Sequence, residues 1–198
     1  MRRQDCSQIT DGAATIFLAS EAKAKTYADK RGIPLESLAR IKGWGHTTAP
    51  MLMDTKLAAS KGSDYLLPWT RKAIMDAYTR AGISGPEQLD AVETHDCFTI
   101  NEYVAIEHFG ITAPGEAWKA VEDGRIARGG SIPVNASGGL KSKGHPIGAT
   151  GVSLHVMAAM QLTGDAGDMQ IPGAEIAGVF NMGGAAVTNY VSILERVK

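Results

Sequence analysis

This sequence has few cysteines, almost no net charge and no long apolar run. Its 198 residues hold two cysteines, Cys6 and Cys97, which cannot build a disulfide framework and are typical of free thiols in a reducing compartment. Twenty Lys and Arg residues balance 21 Asp and Glu, a formal charge of −1, so the basic excess of a nucleic-acid-binding surface is missing. These shortages exclude a disulfide-stapled secreted domain and argue against a nucleic-acid partner.

No apolar segment is long enough to predict a membrane span. The longest stretch without an Asp, Glu, Lys or Arg runs from Gly144 to Gly164 and contains His145, Pro146 and His155. Its apolar part is about a dozen residues, short of the roughly 20 that a span needs. Two arginines follow Met1 with no apolar run behind them, so we expect no secretory signal, no membrane partner and a cytoplasmic location.

Glycine is abundant instead. It accounts for 23 of the 198 residues, about 12% where about 7% is usual, and this excess predicts many loops. With 44% hydrophobic and 21% charged residues, the composition is that of a globular protein long enough to enclose a sizeable core. We therefore expect residues 1–198 to form one domain.

Strand and helix patterns alternate along the chain. Strands are predicted at 13–19, 39–44, 89–94, 176–180 and 186–194, and helices at 21–31, 69–81, 99–109, 116–123 and 150–162. A loop is expected between Trp44 and Trp69, and a hairpin turn at Gly183-Gly184. This order predicts an α/β fold with a mixed β-sheet flanked by helices. The helix at 150–162 has apolar residues around its whole circumference, which predicts a central helix buried on all sides between layers.

Three short segments place reactive side chains or glycine turns at the ends of predicted strands. In the first, His95-Asp96-Cys97-Phe98, a thiol follows the strand directly and an imidazole lies two residues before it. This pair would form an acid/base centre if its surroundings lowered the thiol pKa from about 8.5. A buried, inert cysteine is the alternative.

The other two segments are rich in glycine. Gly144 to Gly151 precedes the apolar helix, where His145 could polarise a carbonyl or deprotonate a thiol, or could only cap the helix as the chain enters the core. Asn181 to Ala185 could present backbone N–H groups as an oxyanion hole, or could be a hairpin turn with no further role.

The remaining histidines give weaker signals. His46 and His108 are interpreted as surface or helix residues, and His155 as a hydrogen-bonded core histidine. The histidines and cysteines have no close metal-ligand spacing, so no metal site is predicted.

Taken together and in order, the motifs resemble the C-terminal half of thiolases, most closely the sterol-carrier-protein type with its His-Asp-Cys-Phe motif. The matching segments are Thr10 to Ala14, His95 to Phe98, Asn135 to Gly139, Gly144 to Gly151 and Asn181 to Gly184. The resemblance covers essentially the whole chain, and it implies a thiolase-like domain with a helix in the middle layer of the fold.

The resemblance also implies Claisen-type thioester chemistry with coenzyme A as a substrate, no covalently bound cofactor, and a homo-oligomer, either dimer or tetramer. Cys97 is similar to the acid/base cysteine and His145 to the residue that activates the nucleophile. His95 stands where many thiolases have an asparagine that holds a catalytic water. The oxyanion and substrate-binding set implied by the family is Asn181, Gly183, Gly184, Phe98 and Ser7.

Two departures from the family pattern matter. The nucleophilic cysteine of thiolases belongs to an N-terminal half that these residues do not match, and Cys6 is no substitute for it. The Cys-x-Gly motif of other thiolases is replaced by Asn181-Met182-Gly183, in agreement with an acid/base role at Cys97. We therefore expect negligible turnover by this chain alone and an exposed apolar face where the other half would pack.

Two other functions remain open at this point. One is a thiolase-like carbon–carbon lyase, a retro-aldolase that acts on a CoA thioester together with a partner protein; an acid/base cysteine is not expected there. The other is a non-catalytic module that binds CoA thioesters or a partner.

Overall fold

A computed structural model describes residues 2–198, and four strands in it form one mixed sheet. The strands are β1 (Ala39–Thr48), β2 (Ala91–Thr94), β3 (Ile176–Gly183) and β4 (Thr188–Arg196). Their order across the sheet is β1-β4-β3-β2, with β4 antiparallel to both its neighbours and β2 parallel to β3. The predicted α/β class and mixed sheet are confirmed.

Within residues 2–198 there are seven α-helices. They are α1 (Glu21–Arg31), α2 (Met53–Ser60), α3 (Pro68–Ala81), α4 (Thr99–Phe109), α5 (Ala117–Glu122), α6 (Gly139–Lys143) and α7 (Thr150–Thr163). None of the helices within residues 2–198 is long and apolar enough to cross a membrane.

The core divides into two clusters, one on each face of the sheet. Because side chains alternate along a strand, Phe180 and Met182 of β3 join the cluster under α3, α4 and α5, whereas Ala177 and Val179 join the cluster under α7. The sheet is therefore covered by helices on both faces, as the sequence predicts.

Helix α7 is buried on the side that faces the sheet. Leu154, Ala158 and Leu162 form this stripe and are essentially inaccessible, which confirms a buried apolar helix at this position. Val156 and Met160 on other sides of the helix are only half-buried. Burial on all sides is not found within residues 2–198, because a single sheet covers the helix there.

The strand predicted at residues 13–19 is wrong. These residues pair with no strand, and most of them are exposed, with Phe17 at 95%. An apolar run indicates a segment that is buried against something, but the segment becomes a strand of a sheet only if a neighbouring strand pairs with it. The predicted loop between Trp44 and Trp69 also contains a helix, α2, which the run of Met, Thr and Ser residues concealed.

Strand β1 lies unusually close to helix α3. Gly43 and Gly45 face the helix, and a Cβ atom built on Gly45 would lie 1.8 Å from the carbonyl oxygen of Ala73. Ala73 and Ala77 of α3 are fully buried and offer the matching short side chains. The contact is therefore backbone against backbone, with no room for a side chain on the strand.

His108 is a helix residue, as predicted, but it is fully buried and neutral. Its Nδ1 atom donates to the Val104 carbonyl at 2.6 Å, and its Nε2 atom accepts the Leu67 amide at 3.0 Å. Burial lowers the pKa of His108 to about 4, because the charged ring would lose its solvent and lie near the positive charge of Arg71.

Stability should therefore fall in acid through His108. His108 binds a proton near pH 6.5 in the unfolded chain and only near pH 4 in the folded protein. Its contribution to the free energy of unfolding is therefore fully present above pH 6.5 and is lost as the pH falls toward 4. The loss amounts to about 3 kcal/mol at most. Urea unfolding at pH 7.5 to 4.5 should show His108→Gln less stable at neutral pH and the gap to the wild type closing in acid. A gap that stays constant over this range would contradict the assignment.

Candidate active site

The segments that contain His95 and Asn181 meet at one edge of the sheet. His95 directly follows β2 and Asn181 lies near the end of β3, and because these strands are parallel their carboxyl ends lie side by side. The backbone amide of His95 donates to the carbonyl of Phe180 at 3.0 Å. The side chains then meet, with His95 Nδ1 2.8 Å from Asn181 Oδ1.

The loop before α7 brings His145 to the same place. The rings of His95 and His145 lie edge to face, with centroids 5.0 Å apart and planes at 85°. Both side chains are buried. Three segments separated by many residues thus place His95, His145 and Asn181 in one cluster.

The hydrogen bonds of His145 determine which ring nitrogen is free. Its Nδ1 atom lies 2.7 Å from the hydroxyl of Thr150, and that hydroxyl donates its one hydrogen to the Pro146 carbonyl at 3.0 Å. With the hydroxyl hydrogen on the Pro146 carbonyl, the hydroxyl oxygen accepts from Nδ1–H, and in that tautomer the lone pair lies on Nε2. Burial lowers the pKa of His145, so the ring is a neutral base near pH 7.

His95 is held in the same tautomer. The amide oxygen of Asn181 can only accept, so Nδ1 of His95 carries the hydrogen and Nε2 is free. Burial lowers the pKa of His95, and the neighbouring His145 adds to this effect. The cluster thus holds two neutral imidazoles, each with its Nδ1 occupied.

Cys97 lies on the loop between β2 and α4 and is half-buried. Burial raises the pKa of its thiol, so the lowered pKa on which the sequence interpretation depended is not found, and the protonated form prevails at neutral pH. The amide Nδ2 of Asn101 donates to its sulfur at 2.9 Å. A protonated thiol in this position is a proton donor, with a polar partner already beside the sulfur.

The first residues of the chain tie the two site loops together. Both the amide and the hydroxyl of Ser7 donate to the carbonyl of Cys97, at 2.9 and 3.0 Å. Farther along, Ile9 pairs with His145 in a parallel bridge, and the amide of Thr10 donates to the His145 carbonyl at 3.3 Å. The contact of Ser7 with substrate stays a prediction; in this structure Ser7 positions the Cys97 loop.

An open groove of about 420 Å³ lies beside the cluster. It is lined by residues 10–14 on one side and by residues 146–149 with Val152 on the other. Phe98 is partly exposed near Cys97. Pro146, the chain neighbour of His145, lines the groove, whereas the side chains of His95, His145 and Asn181 do not.

The turn between β3 and β4 has an unusual backbone. Gly184, Ala185 and Ala186 have successive φ values of 60°, 52° and 63°, all in the left-handed region. The ammonium group of Lys56, which is 1% exposed, donates to the carbonyls of Gly184 and Ala185 at 3.5 and 2.6 Å. Helix α2 thereby holds the turn that contains the predicted oxyanion residues Gly183 and Gly184.

Sequence reasoning missed several residues that shape this site. Asn101, Thr150 and Lys56 contact predicted site segments, and Asp96 accepts the backbone amide of Leu140 at 2.8 Å. Their signal was spacing: Asn101 lies four residues after Cys97, and Thr150 five after His145. Within residues 2–198, no three His, Cys, Asp or Glu side chains converge as metal ligands would.

Comparison with known proteins gives the chain its relatives. Residues 53–196 match the family model described as thiolase C-terminal domain-like. The chain is 39% identical over 197 residues to an acetyl-CoA acetyltransferase of Methanothermobacter thermautotrophicus, covering 99% of this chain and 48% of that protein. It is 35% identical over 184 residues to human sterol carrier protein 2, covering 92% and 32%.

A solved structure shares the fold. The Ltp2-ChsH2(DUF35) aldolase superposes with a TM-score of 0.67 at 22% identity, covering 80% of this chain and 39% of that one. This chain therefore spans about half or less of the length of the relatives it matches.

Proposed function

Because the chain belongs to the thiolase family, as its C-terminal domain, we propose that it forms the C-terminal catalytic half of an acyltransferase. The proposed reaction is the thiolytic cleavage of a 3-ketoacyl-CoA or the reverse Claisen condensation, with coenzyme A as a substrate. The convergence of His95, His145 and Asn181 next to the Cys97 loop is the observation that supports this proposal most strongly.

Cys97 is the proposed proton carrier. In the cleavage direction, the sulfur of the nucleophilic cysteine in the N-terminal half adds to the β-keto carbon. The bond between the α and β carbons then breaks, its electron pair passes to the α carbon as an enolate, and the acyl group stays on that cysteine. The Cys97 thiol gives its proton to that carbon and becomes a thiolate. The thiolate then takes the proton of the incoming coenzyme A thiol, whose sulfur accepts the acyl group. The raised pKa of Cys97 supports the protonated starting state.

His145 is the proposed activator of the nucleophile. In thiolases a cysteine of the N-terminal half forms the acyl-enzyme, and that half lies outside the residues matched here. The free Nε2 of His145 suits it to accept the proton of that thiol. Once protonated, the same atom would donate a hydrogen bond to the oxygen on which negative charge develops.

The remaining predicted residues form the proposed oxyanion and substrate-binding set. Gly183 and Gly184 would offer backbone N–H groups to a second oxyanion, and Asn181 orients His95 through the 2.8 Å contact. Phe98 would line the acyl pocket and Ser7 the pantetheine arm of coenzyme A. The groove beside His145 supports a substrate approach along this face.

We also propose that the whole protein is a homodimer or tetramer. Exposed apolar side chains support a further protein surface against this domain. The most exposed are Phe17, Met51, Leu18, Ile9 and Leu52. Isolated exposed apolar residues are ordinary, but this many large ones on a domain of 198 residues favour an extensive contact.

A carbon–carbon lyase is the second candidate, favoured by one observation. A solved structure that shares this fold is named an aldolase. A thiolase-like retro-aldolase that works with a partner protein would be similar to it. The presence of Cys97 with a hydrogen-bond donor on its sulfur favours acyl transfer over this lyase. A non-catalytic module that binds CoA thioesters or a partner is the third candidate, and the hydrogen bonds of His145 and Cys97 favour catalysis over it.

Thiolysis assays would test the proposal. Acetoacetyl-CoA and a longer 3-ketoacyl-CoA are mixed with coenzyme A, and the loss of enolate absorbance is followed for this chain alone and for the chain extended upstream into its coding sequence. We expect turnover only in the extended protein. No thiolysis by a folded extended protein would overturn the acyltransferase proposal, and retro-aldol cleavage in its place would establish the lyase.

A further inference from the structure

Asn101 is the one side chain that donates a hydrogen bond to the sulfur of Cys97 in the described chain. Its amide Nδ2 lies 2.9 Å from Sγ. We infer that Asn101 is a positioning residue that holds Cys97 and stabilises its thiolate during proton transfer. This inference deepens the proposed function, in which Cys97 alternates between thiol and thiolate.

The start of helix α4 explains why the amide reaches the sulfur. Helix α4 begins at Thr99, and the backbone amide of Asn101 already donates to the carbonyl of Phe98 at 2.9 Å. Side chains of a helix lean toward its N-terminus, so a residue in the first turn projects over the residue four positions earlier. Asn101 therefore covers Cys97 without any long-range packing.

The first turn of α4 is also anchored from outside the helix. Glu102, the next residue, accepts the side-chain amide of Asn135 at 3.0 Å, and the same Asn135 accepts the backbone amide of Thr94 at the end of β2. Strand β2 and helix α4 are thus joined on both sides of the Cys97 loop. The amide of Asn101 is held over the sulfur by a fixed frame.

Few other groups can stabilise a thiolate at this position. The loop of Cys97 borders a cavity of about 150 Å³ whose charged lining residues are Asp5, Asp96, Glu102 and Lys141. Asp96 raises the pKa of Cys97 further, and Lys141 donates to the carbonyl of Cys6. His95 and His145 are buried neutral rings. The side-chain amide of Asn101, with the backbone amides of Phe98 and of Cys97 itself, opposes the cost of burying the charge, and Asn101 is the largest of these contributions.

An amide suits both states of the sulfur. Its Nδ2–H group donates to a thiolate, and a half-turn about its terminal torsion brings Oδ1 to accept from the S–H of a thiol. A carboxylate in this place could serve only the thiol, and an aliphatic side chain could serve neither. Asn101 therefore matches a cysteine that gains and loses a proton in each cycle.

The test follows the alkylation of Cys97 as a function of pH in the 198-residue chain with Cys6→Ser, in which Cys97 is the one remaining thiol. Iodoacetamide reacts with the thiolate, so the rate profile reports the thiol pKa whether or not the protein turns over. Asn101→Leu should raise the midpoint of the alkylation profile by about one pH unit. Below the midpoint, this shift makes the alkylation rate about tenfold lower. Asn101→Asp, of the same shape, should move it at least as far.

Ile100→Ala is the matched control, because Ile100 is an exposed neighbour in the same helical turn. It should leave the midpoint unchanged. In the extended protein, both Asn101 variants should shift the pH profile of kcat with little change in KM. Unchanged alkylation midpoints in both Asn101 variants, with circular dichroism showing intact folds, would overturn the inference; absent thiolysis with shifted midpoints would overturn only the proposed reaction.

Discussion

Replacing Cys97 by alanine in the extended protein is expected to lower kcat/KM for thiolysis by about 10²- to 10⁴-fold, the range in which a positioned general acid or base contributes. The reason is chemical: alanine cannot give a proton to the enolate carbon or accept one from coenzyme A. The fold should tolerate the change, because Cys97 is only half-buried and its carbonyl, not its sulfur, is bound by Ser7. Initial rates at several substrate concentrations, with circular dichroism of the same samples, would measure the effect.

Cys6 provides the matched control for this substitution. It is the only other cysteine of the chain and is also half-buried, and its sulfur donates to the backbone carbonyl of Arg2. Cys6→Ala should keep kcat/KM within about twofold, because Cys6 docks on the Cys97 loop through its backbone, which alanine keeps. Equal losses in the two variants would show that a general effect of thiol removal, not acid/base chemistry at Cys97, explains the result.

Substituting Gly45 by alanine should strongly destabilise the domain. The added Cβ would lie 1.8 Å from the carbonyl oxygen of Ala73 and 2.7 Å from its carbonyl carbon, far inside contact distance. Both atoms belong to the backbone of α3, so no side chain can rotate away and the helix must move off the strand. We expect a loss of about 3 kcal/mol or more in the free energy of unfolding, at the upper end of the overpacking range.

Gly129→Ala is the control for the glycine substitution. Gly129 is exposed, its backbone does not adopt a positive φ, and a Cβ there would meet no atom within 4 Å. Alanine at this position should leave stability unchanged or raise it slightly by restricting the unfolded chain. Urea denaturation of the 198-residue chain would compare the two variants, and a Gly45→Ala protein as stable as the wild type would contradict the close contact of β1 with α3.

Much of the fold could be predicted because local signals mark its elements. Ser20 accepts the backbone amide of Lys23 and Gly32 ends α1 at φ 61°, as the sequence pattern indicates. The run at 13–19 failed because its apolar residues have nothing in residues 2–198 to pack against. Local sequence reveals which surfaces must be covered, and the covering partner is a property of the whole protein.

The candidate site could be predicted by residue but not by geometry. The motifs pointed to His95, Cys97 and His145, and their proposed roles stay predictions. No local pattern indicates that two of these rings meet edge to face, since 50 positions separate them. Lys56 was hidden for the same reason: its carbonyl partners lie about 130 positions later in the chain.

The segment from Cys6 to Thr10 has a consequence for the order in which the domain folds. It joins the Cys97 loop across a separation of 90 residues, and Lys141 reaches the Cys6 carbonyl across 135. Contacts between such distant positions require the closure of long loops and form late. The pairings of β1 with β4 and of β2 with β3 close loops of similar length. The sheet and the segment from Cys6 to Thr10 should therefore consolidate in the same late step of folding, and the site should acquire its final geometry only when both are in place.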